Sequence, residues 1–199
     1  MPSAHLADST LQEKKALRAE MREIRAAAIA EHGPRAAELI GKHGIGFGPV
    51  RPPAWVSGFL PIGAELDPTP LMQRLADQGY GLCLPVMEGK GKPLLFRAWK
   101  PGDGLVEVMW GIREPLPTAA SVEPDVLLSP LLAFDRQGYR LGYGGGFYDR
   151  TLARLRSLKP VVAIGLALDE QRVDAVPHAD YDEPLDWVLT PSGPVRCGT

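Results

Sequence analysis

The chain has 199 residues, enough to bury one sizeable core, so a single domain over 1–199 is expected. Its 22 basic and 24 acidic side chains leave a formal charge of -2, which excludes a net attraction to nucleic acid or to an acidic membrane and makes any anion binding local. Cys83 and Cys197 form neither a disulfide framework nor a CxxC pair, residues 1–10 lack a signal-peptide core, and no run reaches about 18 apolar residues; a cytoplasmic protein without an obligate protein partner is expected.

Ser9 and Gln12 have the spacing of a capping box and predict the start of a long helix running to about residue 31, where Gly33-Pro34 is expected to break it before a shorter helix through Ile40. At about 100° per residue, Leu17, Met21, Ile24 and Ala28 share one face, and Lys14, Arg18, Arg22 and Arg25 form a basic stripe beside it. Residues 54–60 read as a strand. Asp67-Pro68 then starts a helix with Leu71, Met72 and Leu75 inward, ended by Gly79. Residues 82–87, 94–99 and 105–110 are successive strands, 115–124 a proline-rich surface connection, and 125–129 a buried strand. A helix over 147–158, a strand over 161–168 and a last strand over 186–190 complete the pattern. Strands alternating with helices imply an α/β fold, a three-layer αβα arrangement around a mostly parallel sheet.

The segment from Ala133 to Asp149 lies between a strand and a helix, where open sheets bind ligands beyond their strand ends. Gly142, Gly144, Gly145 and Gly146 remove side chains that would hold a phosphate away from backbone N–H groups, and the following helix directs its positive end at the same place. Arg140 offers a forked grip on phosphate oxygens. Asp149 would repel a triphosphate unless magnesium lay between them, which points to Mg-ATP. The run lacks the Gly-Lys-Ser/Thr ending of a P-loop, and Phe147 stands where the dinucleotide fingerprint has its third glycine.

Basic helix stripes are commonly solvated faces, but Lys14 and Arg18, four residues apart, could both reach a phosphate if the first helix folds back over the glycine turn. Glu65, in a loop after the 54–60 strand, is either an ordinary loop acid or a ligand for a polar molecule. Trp110 is either core or a stacking surface for a flat heterocycle. The four histidines are scattered, with no Ser/His/Asp arrangement and no metal-ligand spacing, so no protein nucleophile is expected.

Ser129-Pro130-Leu-Leu-Ala-Phe-Asp135, Gly138 and Arg140-Leu-Gly-Tyr-Gly-Gly-Gly-Phe-Tyr-Asp149 together resemble the signature of the 5-formyltetrahydrofolate cyclo-ligase family. The resemblance extends to Lys14-Lys-Ala-Leu-Arg18, Phe59-Leu-Pro-Ile-Gly-Ala-Glu65, Trp110-Gly-Ile-Arg-Glu-Pro115 and the final strand with Asp186. It implies a fold similar to ribose-phosphate isomerases and an ATP- and magnesium-dependent closure of 5-formyltetrahydrofolate to 5,10-methenyltetrahydrofolate with release of ADP and phosphate. By the same resemblance, Lys14, Arg18, Arg140, Gly142, Tyr143, Gly144, Gly145, Gly146, Phe147 and Tyr148 look like ATP contacts, with Arg140, Lys14 and Tyr148 as the catalytic set. Leu60, Glu65, Trp110 and Tyr148 resemble the folate pocket, and Asp149 and Asp186 match positions associated with Mg2+. Phe147 departs from the tyrosine often present in the family, and Gly145 from a lysine that some members carry. A polyglutamate tail on the folate would favour basic neighbours, with Lys90, Lys92, Arg97 and Lys100 as open alternatives. The competing readings are a non-catalytic phosphosugar or nucleotide sensor and a sugar-phosphate isomerase that works without ATP.

Overall fold

Alanine, glutamate, lysine and arginine dominate the N-terminal segment, and it folds as one α-helix, α1 (Ser3–His43). The computed structural model describes residues 3–108 and 111–198, with side chains from residue 10 onward. Two expectations are corrected here. The helix starts upstream of Ser9, which is therefore no cap, and Gly33-Pro34 does not end it: Pro34 lies inside the helix. A proline there removes one backbone bond at a cost of about 3 kcal/mol. Helical packing on both sides of it outweighs that loss, since Ala28 upstream and Ala36, Ala37 and Ile40 downstream are all buried in one core.

The remaining elements are β1 (Trp55–Ser57), α2 (Thr69–Asp77), β2 (Gly81–Met87), β3 (Leu94–Ala98), β4 (Leu105–Glu107), β5 (Arg113–Pro115), β6 (Val126–Pro130), β7 (Ala133–Phe134), β8 (Arg140–Leu141), α3 (Phe147–Leu158), β9 (Val162–Leu166), β10 (Trp187–Thr190) and β11 (Gly193–Arg196). The strand expected to be last, β10, is followed by β11, which Gly193 makes possible by turning back at φ 124° to pair antiparallel with it. β4 pairs antiparallel with β5, and β7 with β8. Before α2, the Asp67 carboxylate accepts the Thr69 N–H at 2.9 Å, the local turn that the Asp-Pro pair foreshadows.

A seven-stranded sheet in the order β11-β10-β9-β6-β1-β2-β3 is parallel from β10 to β2, with antiparallel strands at both edges. Alternation along the strands sorts their side chains to two faces. Val56, Val126, Leu128, Ile164 and Leu166 pack with α1 and α2 through Ile40, Leu71, Met72 and Leu75. Leu127, Ala163 and Val188 face the other way, onto Leu152 and Leu155 of α3. The result is the expected α/β, αβα layering. Truncating a fully buried leucine such as Leu71 or Leu155 to alanine would cost about 2–5 kcal/mol. From β1 the chain runs outward to β2 in one direction and later returns to the opposite side of β1 with β6. The strand order therefore reverses between β1 and β6, and ligands bind at such a point beyond the carboxyl ends of the strands.

Candidate active site

The β7–β8 hairpin delivers the glycine turn to that point. The hairpin depends on Gly138, which lies at φ 94° and passes so close to the Leu185 carbonyl oxygen that any Cβ would overlap it. After β8 the chain turns through Gly144 (φ 98°) and Gly146 (φ 63°), and α3 begins at Phe147, so its first-turn N–H groups stand next to the turn. A Cβ on Gly142 would meet nothing within 4 Å. That glycine leaves open space rather than satisfying a backbone requirement.

Helix α1 does fold back over this turn, which the sequence leaves open. Arg18 Nε donates to the Gly142 carbonyl at 2.9 Å, and Lys14 Nζ forms an ion pair with Asp182 Oδ2 at 2.5 Å. Arg25 goes beyond the expectation of a solvated stripe. It is only 4% exposed and donates to the Leu131 carbonyl at 3.1 Å and to the Tyr143 hydroxyl at 2.5 Å. Arg22 stays exposed, its guanidinium 5.8 Å from the centroid of the Tyr143 ring.

Arg140 is drawn inward. Its side chain is 4% exposed, Nη2 pairs with Asp149 Oδ1 at 2.9 Å, and Nη1 donates to the Glu183 carbonyl at 2.6 Å. Burial lowers the pKa of this guanidinium, while Asp149 works in the opposite direction. Asp149 also accepts the Glu183 N–H on Oδ1, at 3.2 Å. Burial and, after it, the nearby Glu65 charge push the Tyr148 phenol well up against the opposing pull of the Arg140 cation, so at neutral pH it is a hydrogen-bond donor and not a base. Phe147 packs against the α3-side core and lies under the Arg150 guanidinium at 5.4 Å.

Glu65 is 6% exposed and accepts the Ile62 N–H on Oε2 at 2.9 Å. Burial raises its pKa; the Ile62 N–H, the Arg25 charge and the Tyr143 hydroxyl pull in the other direction. Glu65, Leu60, Lys14, Arg18, Arg140, Asp149 and the whole stretch 142–148 line one cleft of about 780 Å³. Trp110 lies outside the described residues. Asp186 lies off the cleft lining, and its Oδ2 accepts the Ala163 N–H at 2.7 Å and Arg156 Nη2 at 3.2 Å, which ties β9 to the start of β10. Of the tail alternatives, Lys90, Lys92, Arg97 and Lys100 are all off the lining, whereas Arg113 and Arg150 are on it.

Among the described residues no group of three His, Cys, Asp or Glu side chains could hold a metal ion. The carboxylates on the cleft lining, Glu65, Glu114, Asp149, Asp182 and Glu183, therefore form no ready-made cage for a resident ion. Sequence reasoning missed Arg25, Arg150, Asp182 and Glu183. Arg150 follows the recognised motif directly and was within reach; the acidic pair lies in a loop more than thirty residues beyond it and carries no local signal.

A large, mostly apolar cleft with a few convergent polar groups at the strand-order reversal defines an α/β enzyme that acts on small molecules. The model of the 5-formyltetrahydrofolate cyclo-ligase family matches residues 10–191, and the chain belongs to that family. It is 34% identical to the 5-formyltetrahydrofolate cyclo-ligase of Haemophilus influenzae over 183 residues, covering 89% of this chain and 97% of the relative. It is 42% identical to that of Escherichia coli K12 over 142 residues, 69% of this chain and 78% of the relative. The solved structure of Aquifex aeolicus 5,10-methenyltetrahydrofolate synthetase superposes with a TM-score of 0.74 at 27% identity, covering 92% of each chain. That of a Mycoplasma pneumoniae 5,10-methenyltetrahydrofolate synthetase shares the fold, with a TM-score of 0.70 at 22% identity over 89% of this chain and 98% of the other.

Proposed function

We propose that this chain converts 5-formyltetrahydrofolate to 5,10-methenyltetrahydrofolate, using ATP and releasing ADP and phosphate. The observation that carries the reading is that the glycine turn with its basic helix and the buried Glu65 line one continuous cleft. One part of that cleft has the chemistry for phosphate, the other the acceptor carboxylate and apolar walls for a pterin.

In this reading Lys14, Arg18 and the N–H groups at the start of α3 hold the triphosphate, and Glu65, Leu60 and Tyr148 orient the folate. The formyl oxygen attacks the γ-phosphorus and ADP departs; N10 then attacks the activated formyl carbon, and the C–O bond to phosphate breaks. Charge builds on the transferring phosphoryl oxygens, where preorganised donors act best. Arg140, held rigid by Asp149 and Glu183, supplies fixed positive charge beneath the turn. Asp149 would hold magnesium together with the phosphates, and the ion would supply further charge neutralisation there. Besides Lys14, Arg18 and Arg140, which serve the phosphates, the cleft wall carries Arg113 and Arg150 as basic groups for the folate's polyglutamate tail. The two buried or half-buried free thiols suit a reducing cytoplasm, and among the described residues no helix is long and apolar enough to cross a membrane.

The test is absorbance detection of methenyltetrahydrofolate from 5-formyltetrahydrofolate with Mg-ATP and without ATP. Product only with ATP is expected. Folded protein that binds ATP but yields no product would favour a sensor, and isomerisation of a sugar phosphate without ATP would replace the reading altogether.

A further inference from the structure

Among the described residues, Arg25 is a buried cation without a carboxylate partner at hydrogen-bond distance. Its bonds go to a backbone carbonyl and to the Tyr143 hydroxyl, and among the described residues its Nε has no hydrogen-bond partner. A buried guanidinium is costly unless an opposite charge answers it. Glu65 is the carboxylate whose ionisation both the Arg25 charge and the Tyr143 hydroxyl favour. Tyr143 belongs to the glycine turn, and its ring lies 5.4 Å from the Arg25 guanidinium. Arg25 on α1 is thus bonded to Tyr143 on the turn, and Tyr143 and Glu65, which follows β1, line the same cleft.

We propose that Arg25 and Tyr143 are positioning residues for this reaction: the chain from the Arg25 guanidinium through the Tyr143 hydroxyl to Glu65 orients that carboxylate for the folate and fastens the phosphate turn to the folate part of the cleft. The inference rests on the reading of Glu65 as the acid that meets the pterin. Among the described residues, the charged or titratable groups facing Glu65 are Arg25 from α1, Tyr143 from the turn and Tyr148 from α3. Arg25 is a deeply buried cation that reaches the turn through its bond to the Tyr143 hydroxyl.

The experiment compares the wild type with Tyr143→Phe, Arg25→Met, Arg25→Lys and Glu65→Gln, reading KM for 5-formyltetrahydrofolate and for ATP across the acidic-to-neutral pH range. Tyr143→Phe keeps the ring and loses one charge-linked hydrogen bond, so KM for folate is expected to rise about tenfold with KM for ATP changed less than about twofold. In Arg25→Met the acid limb of folate binding should move to higher pH, because Glu65 takes up a proton more readily without the cation; Arg25→Lys should restore its position. A residue with a purely structural part would change stability without moving that limb. Should Arg25→Met fail to fold, Tyr143→Phe, altered at a half-exposed residue, decides the matter through the KM split alone. A folate KM raised by Glu65→Gln but untouched by Tyr143→Phe overturns the positioning chain only. A folate KM that Glu65→Gln leaves unchanged overturns both the chain and the assignment of Glu65.

Discussion

Arg140 and Asp149 close the two ends of the glycine turn on each other: Nη2 of the arginine at the start of β8 lies 2.9 Å from Oδ1 of the aspartate in the first turn of α3. The same guanidinium reaches the Glu183 carbonyl, and the same carboxylate oxygen accepts the Glu183 N–H, so three segments converge on one partly buried ion pair. The turn owes its shape to this pair as much as to its glycines.

Arg140→Ala should therefore cost both rate and stability. Loss of a preorganised positive charge predicts a fall in kcat of roughly two to three powers of ten. Loss of hydrogen bonds to a charged group predicts about 1.5–3 kcal/mol of destabilisation in urea unfolding. Unchanged turnover in a folded variant would remove Arg140 from the proposed chemistry.

Asp149→Asn separates structural from metal-directed parts of the same side chain. The amide oxygen can still accept from Arg140 and from the Glu183 N–H, so the melting temperature should fall only a few degrees. Magnesium that relies on this carboxylate would be held more weakly, and the magnesium concentration for half-maximal activity should rise about tenfold. An unaltered magnesium requirement would confine Asp149 to a structural part.

The glycines of the turn make different predictions. Gly142→Ala has open space and no positive φ, so the fold should tolerate it within about 0.5 kcal/mol while the methyl intrudes on the phosphate site and raises KM for ATP. Gly146 sits at φ 63°, and a Cβ there would press on Arg150 Nη1 at 2.7 Å. Gly146→Ala should destabilise by about 1–2 kcal/mol for the left-handed backbone alone. Thermal melts and ATP titrations of the two variants distinguish a position open for a ligand from one demanded by the backbone.

Glu65→Gln should weaken folate binding more than ATP binding, since a pterin's donor groups need an acceptor carboxylate. It should also stabilise the free protein at neutral pH. The Glu65 carboxyl titrates higher in the folded state than in the unfolded chain, mainly through burial. Below the ordinary carboxylate range both states are protonated and nothing is lost. As pH rises through that range and up to the folded value, the unfolded chain gives up its proton first, and native stability declines. The variant should lack this decline, so the stability difference between Gln and Glu should grow over that interval and then level off. Parallel unfolding curves at all pH values would contradict the burial argument.

Much of the scaffold was legible because it is written locally. The helix α3 begins and ends at the residues its apolar spacing and preceding glycines predict, and Leu71, Met72 and Leu75 of α2 are inward as their spacing requires. The glycine turn at the strand-order reversal, and the family resemblance carried by 129–149, were likewise visible as short-range patterns of residue type. The two-residue strands β7 and β8 were not, since a hairpin that short has no periodicity to read.

What the chain alone determines is this set of elements and the chemistry of the turn, because helix spacing, strand alternation and positive-φ glycines act over a few residues. Only the tertiary structure decides which members of the basic stripe matter: Arg22 and Arg25 differ by three positions, yet one is solvated and the other is buried against Tyr143, 118 residues away. It also takes Asp186 out of the cleft and puts Asp182 beside Lys14, 168 residues apart in sequence. Burial and charge pairing depend on distance in space, and no local pattern records which distant segments the core brings together.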